Sequence, residues 1–391
     1  MSRYNVICST LMGVSLSLVI ACQSDSTPLE PADTDDTDST PAGPPPETFG
    51  GERPAPYFVP ESYDGSEEMP LLVMLHGYTG SGTVTAEWWN MVEAAEEAGV
   101  MLIVPEGKVD PYGAPFWNAT DFCCDFFGSE VDDVAYLSGL IEEAIGWFAI
   151  DEAKIYMMGH SNGGFMSHRM ACERSDLLAG IANVAGATWF DAADCGEPEP
   201  VSVLQVHGTW DTVIYYEGLE SRPAGIPAQD PDFCLSEECG NELTTCLEDS
   251  SCEAMVACYD TCAPNDNACF ETCFYAGTAV AQFLWMEAFV CGLGSGCYSV
   301  DPTPGYASAA EGAARWAAIN GCAASPADGE TTDLLYEIDG AETTSTAYGA
   351  CPAGLAAELW TMAYGSHSPG FNDNWGPAVL EWLLLQEKAM D

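Results

Sequence analysis

The chain has 391 residues, and its 61 Asp and Glu against 9 Lys and Arg give a formal net charge of -52. Proteins that bind nucleic acids or anionic membrane surfaces use basic residues to meet phosphates, so this composition argues against both kinds of partner. Hydrophobic residues at 47% and aromatic residues at 11% are enough to build a large buried core. The 18 cysteines indicate an oxidising compartment, because cytosolic proteins rarely keep so many thiols unless they bind metal.

The first 22 residues are typical of an exported protein. Arg3 precedes an apolar stretch over 6–20, as in a cleaved signal peptide. The segment ends in Val19-Ile20-Ala21-Cys22, which resembles a bacterial lipobox, so Cys22 would become the lipidated first residue of the mature protein. The alternatives are an ordinary signal peptide with a chance cysteine, or an uncleaved anchor that is short for a membrane span.

Residues 23–55 are predicted to form a disordered, acidic, Pro-rich tether. Four aspartates lie among Thr and Ser at 33–40, and Pro44-Pro45-Pro46 follows. Because this composition cannot bury a core, we expect an extended and solvated segment.

From residue 56 onward, short apolar runs alternate with helical patterns. The apolar runs predict buried strands at 71–75, 100–104, 155–158, 201–206 and 359–362. The 3.6-residue periodicity predicts helices at 131–150, 165–172, 307–320 and 377–386. This alternation predicts an α/β fold in which helices cover both faces of a mostly parallel sheet.

One motif places a serine where it could act as a nucleophile. It is Gly159-His160-Ser161-Asn162-Gly163, which lies between a predicted strand and a predicted helix. A sharp turn at this point lifts the serine hydroxyl above the sheet, and its glycines avoid steric clashes. The N-terminus of the following helix favours negative charge beside the serine. Ser161 is therefore the candidate nucleophile.

A serine nucleophile needs a base and an acid, which follow it in the order serine, acid, histidine in this kind of fold. Of the five histidines, His367 alone comes late enough in the chain to follow both. Asp211 lies just past the end of the predicted strand 201–206, whereas Glu217 and later acids are further from any strand end. The alternative for His367 is an exposed loop histidine without a catalytic role.

Five motifs match one family in order and spacing: His76-Gly77-Tyr78-Thr79-Gly80-Ser81, Trp117-Asn118, Val131-Asp132-Asp133-Val134, the glycine-serine turn over 159–164, and His207 to Val213. The chain thereby resembles the secreted polyhydroxybutyrate depolymerase and feruloyl esterase group of α/β-hydrolases. The resemblance covers most of 56–391 outside an insert. It implies an α/β-hydrolase fold and a serine esterase without cofactor or metal. Its substrates would be polyhydroxyalkanoates, other polyesters, or feruloyl and acetyl esters of polysaccharides.

The resemblance also implies residue roles. Ser161 would attack the ester carbonyl, His367 would transfer the proton, and Asp211 would orient the imidazole. The backbone N–H groups of Tyr78 and Asn162 would form the oxyanion hole.

Three aromatic side chains, those of Tyr78, Trp117 and Trp210, are expected beside the substrate. For Tyr78 and Trp117 the alternative is plain core packing. Trp210 stands where the family usually has a smaller residue. By the same resemblance, Cys322 pairs with Cys351.

The segment 219–303 has no counterpart in that family and contains ten cysteines. Cys258 and Cys262 lie four residues apart, as do Cys269 and Cys273, so each pair shares a helix face. Two antiparallel helices would join Cys258 to Cys273 and Cys262 to Cys269 by disulfides, and the alternative is a zinc site. Because the insert lies in sequence between the candidate acid and the candidate base, we expect it to border the active-site cleft. Phe274, Tyr275 and Trp285 would contact the polymer or form the insert's own core.

The predicted organisation is therefore a leader at 1–22, a tether at 23–55, a catalytic domain at 56–218 and 304–391, and a Cys-rich helical insert at 219–303. The protein would be secreted or held at the cell surface as an outer membrane lipoprotein, with a membrane contact only through its lipid anchor. A second interpretation is a non-catalytic binding or adhesion protein that uses the hydrolase scaffold while the insert recognises the partner.

Overall fold

The computed structural model describes residues 7–9, 21–23, 43–111, 113–221, 239–259, 273, 276–278, 281, 284, 285, 288 and 304–389. The chain divides into two units, Met1–Pro44 and Pro45–Asp391. In the first unit, β1 (Ile7–Ser9) pairs antiparallel with β2 (Ala21–Gln23). All further elements belong to the second unit.

A mixed nine-stranded sheet forms the centre of the second unit. Its strands are β3 (Tyr57–Phe58), β4 (Met69–Leu75), β5 (Met101–Ile103), β8 (Ile150–His160), β9 (Gly180–Val184), β10 (Ser202–Gly208), β11 (Pro326–Thr332), β12 (Thr343–Tyr348) and β13 (Ala357–Met362). Their order is β11-β12-β13-β10-β9-β8-β4-β5-β3. The strands from β13 to β5 are parallel, and antiparallel strands flank them on both edges. Two further strands, β6 (Lys108–Val109) and β7 (Pro115–Phe116), form a separate ribbon.

Helices cover both faces of the sheet. They are α1 (Gly82–Trp88), α2 (Met91–Ala98), α3 (Asp133–Trp147), α4 (Asn162–Glu173), α7 (Ala309–Ile319) and α8 (Trp375–Leu384). Two more helices, α5 (Gly240–Glu248) and α6 (Ser250–Tyr259), lie in the insert and pack against each other around a small core of their own. Among the described residues, none of these helices has the length and apolar character needed to cross a bilayer.

Alternate residues of β4 feed two separate cores, because successive side chains of a strand point to opposite faces. Leu71 and Val73 belong to the core under α3, α4 and α7. Leu72 and Met74 belong to the core under α1, α2 and α8. The predicted α/β fold, a mostly parallel sheet with helices on both faces, is confirmed.

The predicted tether is wrong for its last residues, because the second unit begins at Pro45 rather than at residue 56. Phe49 is fully buried and stacks on Tyr57 with 4.4 Å between the ring centroids. Arg53 pairs with the buried Asp133, with 2.6 Å between Nη1 and Oδ1. Two anchoring side chains thus order a stretch whose average composition predicts disorder.

Disulfides join Cys123 to Cys124, Cys172 to Cys195, Cys246 to Cys252, Cys258 to Cys273, and Cys322 to Cys351. The expected pair Cys262–Cys269 lies outside the described residues, as do Phe274 and Tyr275.

The insert begins and ends at neighbouring positions of the second unit. Leu219 and Tyr306 form an antiparallel bridge in which each backbone N–H donates to the other's carbonyl oxygen, at 3.0 and 2.9 Å. The N–H of Gly305 also donates to the Ser221 hydroxyl at 3.0 Å. The boundaries predicted at 219 and 303 therefore fall within two or three residues of this closed neck.

Candidate active site

Ser161 occupies the single residue between β8 and α4. Its backbone has φ 51° and ψ -116°, a conformation that non-glycine residues rarely adopt and that is typical of functional turns. The turn is held because the Ser161 N–H donates to Val184 O at 2.8 Å. Gly163 is required here, since a Cβ at this position would lie 2.7 Å from His76 O. The turn therefore projects the Ser161 side chain at the carboxyl edge of the sheet.

The structure brings Ser161, His367 and Asp211 into one hydrogen-bonded chain. His367 Nε2 lies 2.9 Å from Ser161 Oγ, and His367 Nδ1 lies 2.9 Å from Asp211 Oδ2. Because a carboxylate only accepts, Nδ1 carries the proton and Nε2 accepts from the serine hydroxyl. The Asp211 side chain is fully buried, whereas that of His367 is 12% exposed. Solvent and ligands therefore reach the chain from its serine and histidine end.

The Asp211 carboxylate is fixed by four donors. Its Oδ1 accepts from the backbone N–H groups of Val213 at 2.9 Å and Ile214 at 2.8 Å. Its Oδ2 lies close to His367 and also 3.1 Å from His207 Nε2. Burial opposes ionisation, but the neighbouring His367 and the hydrogen bonds from His207 and His367 outweigh it and lower the pKa of Asp211. The carboxylate is thus an anion at neutral pH.

The loop that carries His367 is tied to the strands beside it. His160 Nε2 donates to the backbone oxygen of His367 at 2.8 Å. Burial, reinforced by the nearby His367, lowers the pKa of His160 to about 3, so this ring is neutral at physiological pH. The backbone N–H of Trp210, in the loop after β10, donates to Gly365 O at 3.0 Å. These bonds set the height of the imidazole above the sheet.

The loop after β4, which holds Tyr78, passes directly beside the serine. A Cβ at Gly77 would lie 3.4 Å from Ser161 Cβ and 2.9 Å from His160 Nδ1. His76 shapes this loop, since its Nδ1 donates to Gly77 O at 2.7 Å and its Nε2 accepts from the Gly107 N–H at 2.8 Å. Burial lowers the pKa of His76, which keeps the ring neutral in this role.

Asn162 is the first residue of α4, where backbone N–H groups have no partner within the helix. The Asn162 side chain bonds to the backbone of Trp117: Oδ1 accepts from the Trp117 N–H at 2.7 Å, and Nδ2 donates to Trp117 O at 2.9 Å. The paired bonds hold the start of α4 against the loop that contains Trp117.

The three aromatic residues expected beside the substrate lie in different environments. Trp117 is fully buried and donates from Nε1 to His76 O at 3.0 Å, so its predicted role as a substrate wall is wrong. Tyr78 is half-buried, and its hydroxyl donates to Asp110 Oδ2 at 2.6 Å. Trp210 is 64% exposed.

Tyr364 is an aromatic residue at the site that sequence reasoning missed. It is 61% exposed and meets Trp210 edge to face, with 4.9 Å between the ring centroids. Its N–H donates to the Thr209 hydroxyl at 2.9 Å, which ties the loop of His367 to the loop of Asp211. An aromatic residue three positions before the candidate base was the available signal in the sequence.

No protein-family model matches the chain. NocK, a presumed esterase of Nocardia uniformis subsp. tsuyamanensis, is 32% identical over 162 residues, which is 41% of this chain and 46% of NocK. Feruloyl esterase B of Piromyces equi is 29% identical over 162 residues, which is 41% of this chain and 29% of that enzyme. The chain therefore spans less than half the length of these curated relatives. The solved structure of acetyl xylan esterase from Aspergillus awamori covers 89% of this chain and 98% of its own, with 13% identity and a TM-score of 0.42.

Proposed function

We propose that the protein is a serine hydrolase that cleaves carboxylic esters. The observation that carries this proposal is the unbroken hydrogen-bonded chain from Ser161 Oγ through His367 to Asp211 Oδ2. The names of its relatives, which include a feruloyl esterase, support the same reaction class.

In this mechanism Ser161 Oγ attacks the ester carbonyl while His367 Nε2 takes the hydroxyl proton. The C–O bond to the leaving alcohol then breaks, and His367 returns the proton to that oxygen, which leaves an acyl-enzyme. A water molecule then attacks the acyl carbonyl while His367 Nε2 takes its proton. The bond to Ser161 Oγ breaks, His367 returns the proton to that oxygen, and the carboxylic acid is released. Asp211, an anion beside Nδ1, holds the ring in the required tautomer and stabilises the imidazolium that forms.

The negative charge on the carbonyl oxygen would be met by the backbone N–H groups of Asn162 and Tyr78. Both belong to segments that border Ser161, one at the start of α4 and one in the loop after β4. A donor of this kind typically lowers the barrier by about 3 kcal/mol.

The substrates we propose are esters of neutral polymers, either feruloyl or acetyl groups on polysaccharides or the polyester chains of polyhydroxyalkanoates. Trp210 and Tyr364 support a ring-bearing or extended substrate, because burying two exposed aromatic side chains on binding is favourable. The net charge of -52 disfavours polyanionic substrates. Tyr78 would border the acyl group from the opposite loop.

Hydrolysis of p-nitrophenyl acetate by the full chain tests the reaction class. We expect turnover by the wild type and its loss in Ser161→Ala, while Ser129→Ala, an exposed serine on a loop, keeps wild-type rates. A folded wild type that hydrolyses neither this ester nor feruloylated xylan, acetylated xylan or polyhydroxybutyrate film would favour the non-catalytic binding protein. The relative rates on the three polymers identify the acyl and polymer class.

We further propose that the Cys-rich insert borders the cleft and contacts the polymer. The closed neck at Leu219 and Tyr306 supports a clean test, because residues 222–303 can be replaced by a short Gly-Ser linker without moving the bridge. We expect this deletion to reduce polymer hydrolysis more than p-nitrophenyl acetate hydrolysis. Equal losses on both substrates would contradict the role.

We also propose that the protein is exported, since five disulfides among the described residues suit an oxidising compartment. Cys22 is the proposed lipid attachment site. Labelling of the wild type with radioactive palmitate, and its loss in Cys22→Ser, would support the anchor, whereas an unlabelled chain would leave a secreted protein.

A further inference from the structure

His207 lies at the buried end of β10 and touches the same carboxylate oxygen as the proposed base. Its Nε2 is 3.1 Å from Asp211 Oδ2, and His367 Nδ1 is 2.9 Å from that oxygen. The His207 side chain is 1% exposed. The mechanism above uses only His367, so this second histidine has no assigned role.

The partners of His207 fix where its proton lies. Nε2 is also 2.7 Å from the carbonyl oxygen of Ile214, and because both of its neighbours only accept, Nε2 carries the hydrogen. Nδ1 lies 3.3 Å from Gln205 Nε2 and accepts from it. The ring therefore donates towards Asp211 in its neutral form.

The orientation of Gln205 is fixed in turn by its other neighbours. Its Nε2 donates to Gly186 O at 3.0 Å, and its Oε1 accepts from Asn183 Nδ2 at 2.8 Å. The same Oε1 lies 3.2 Å from His168 Nε2. Both ends of the amide are therefore used, and only its nitrogen can face His207.

The chain of donors continues to helix α7. Trp316 Nε1 donates to His168 Nδ1 at 3.1 Å, which leaves the His168 proton on Nε2, facing Gln205. Burial lowers the pKa of His168 to about 4, so this ring is neutral at physiological pH. A buried polar network thus extends from α7 across β10 to the carboxylate.

We propose that His207 is a positioning residue, which donates a second N–H to Asp211 Oδ2 and so fixes the oxygen that orients His367. This inference rests on the proposed esterase function. The hydrogen bond shares the negative charge of Oδ2 between two rings, which limits how strongly the carboxylate holds the protonated form of His367. It also stops the carboxylate from rotating away from His367 during the proton transfers.

Four titratable groups face the pair of Asp211 and His367 or the ring of His207. They are His160 on β8, His207 itself, Tyr306 after the insert, and Tyr216, whose ring meets His207 edge to face at 5.9 Å. Burial raises the pKa of Tyr306 far above its usual value, and that of His160 is lowered to about 3. Neither His160 nor Tyr306 changes charge between pH 5 and 9. A shifted pH profile of kcat/KM in a His207 variant therefore reports on His367 and Asp211.

The test compares His207→Phe with His207→Gln in the full chain. Glutamine can place its Nε2 near the position of the imidazole Nε2 and donate to Asp211, whereas phenylalanine cannot. We expect kcat for p-nitrophenyl acetate to fall roughly 10- to 100-fold in His207→Phe, as for the loss of a hydrogen bond to a charged group, with KM changed less than about twofold. The acidic limb of the kcat/KM profile should move to higher pH, and His207→Gln should recover most of both losses.

His168→Gln is the matched control, because it alters a buried histidine of the same network that does not touch Asp211. It should lower the thermal unfolding temperature about as much as His207→Phe while its acidic limb stays in place. The proposal would be overturned if His207→Phe kept the wild-type kcat and the wild-type acidic limb of the kcat/KM profile. It would also be overturned if His207→Phe and His207→Gln lost the same amount of kcat and shifted that limb equally.

A readout without turnover separates this proposal from the esterase function. The proton shared by His367 Nδ1 and Asp211 should give a low-field NMR resonance, assigned by its loss in His367→Gln. This resonance should move in His207→Phe and stay in His168→Gln, whether or not any ester is cleaved. An unmoved resonance would refute the positioning role, while absent hydrolysis alone would refute the proposed function.

Discussion

Replacing Arg53 with methionine would test whether residues before position 56 hold the fold together. The guanidinium bonds to Asp133 Oδ1 at 2.6 Å through Nη1 and to Glu106 O at 2.7 Å through Nε. It also lies 3.9 Å from the ring centroid of Tyr136. The Asp133 side chain is fully buried, and without Arg53 its remaining hydrogen bond is the Asn118 N–H, at 2.7 Å.

The expected cost follows from the charge left behind. Removing one partner of a buried ion pair typically destabilises a protein by about 3–5 kcal/mol. The Arg53 side chain is 20% exposed, so water relieves part of this penalty and we expect about 3 kcal/mol. Asp133→Asn removes the charge but keeps an oxygen for the Asn118 N–H. The double variant Arg53→Met/Asp133→Asn should therefore lose only about 1 kcal/mol relative to the wild type.

The penalty should also depend on pH. Burial raises the pKa of Asp133 above its usual value, and the Arg53 guanidinium opposes this rise. A carboxyl whose pKa is higher in the folded state binds more protons when folded, so its effect on stability becomes less favourable as pH rises. Without Arg53 the pKa rises further. The destabilisation by Arg53→Met should be larger at pH 7.5 than at pH 5.

Urea unfolding followed by tryptophan fluorescence, at both pH values, measures these differences in the free energy of unfolding. Arg174→Met is the control, since it breaks an exposed pair with Asp176 that should contribute about 0–1 kcal/mol. The reasoning is refuted if Arg53→Met costs no more than this control, or if the double variant is as unstable as Arg53→Met.

Three further predictions concern stability. Burial lowers the pKa of His168 to about 4. The unfolded chain therefore binds a proton near pH 6.5 that the folded chain does not bind, and the free energy of unfolding decreases as the pH is lowered. Between pH 7.5 and 5 the wild type should lose about 2 kcal/mol more than His168→Gln, measured by urea unfolding; equal losses would contradict the buried neutral ring. Replacing Cys322 and Cys351 by serine should cost about 2–4 kcal/mol, and a change under about 1 kcal/mol would show that this bridge constrains little. With a net charge of -52, the thermal unfolding temperature should rise with NaCl up to molar concentration, and a flat response would remove self-repulsion as a factor.

The strands that a sequence reveals are those with an unbroken apolar run. Residues 201–206 predicted β10 because both of its faces are buried. β9 was missed because Asn183 interrupts its run, and the structure shows why a polar residue is tolerated there: Asn183 donates to Gln205 in the core. The edge strand β11 is exposed at all seven positions, so it carries no hydrophobic signal at all.

Within the site, chain order and strand ends were enough to single out Ser161, Asp211 and His367. The burial of Trp117 was not predictable, since an indole beside a glycine-rich loop can face either the core or a ligand. His207 was passed over as a strand-end histidine, because the turn that brings Asp211 back to it shows only in three dimensions. The anchoring of Arg53 by Asp133 likewise depends on a contact between residues 80 positions apart.

The bridge between Leu219 and Tyr306 makes the insert a side branch of the sheet-containing unit. Ser221 and Gly305 are 84 positions apart, yet they meet as the ends of an ordinary hairpin turn would. Loop-closure entropy grows only with the logarithm of length, so exchanging a four-residue turn for such a branch costs about 3 kcal/mol. A branch with its own disulfides can therefore be gained, lost or exchanged during evolution without a change in the register of β10 and β13. The same junction is a natural place to graft a different binding module onto this fold.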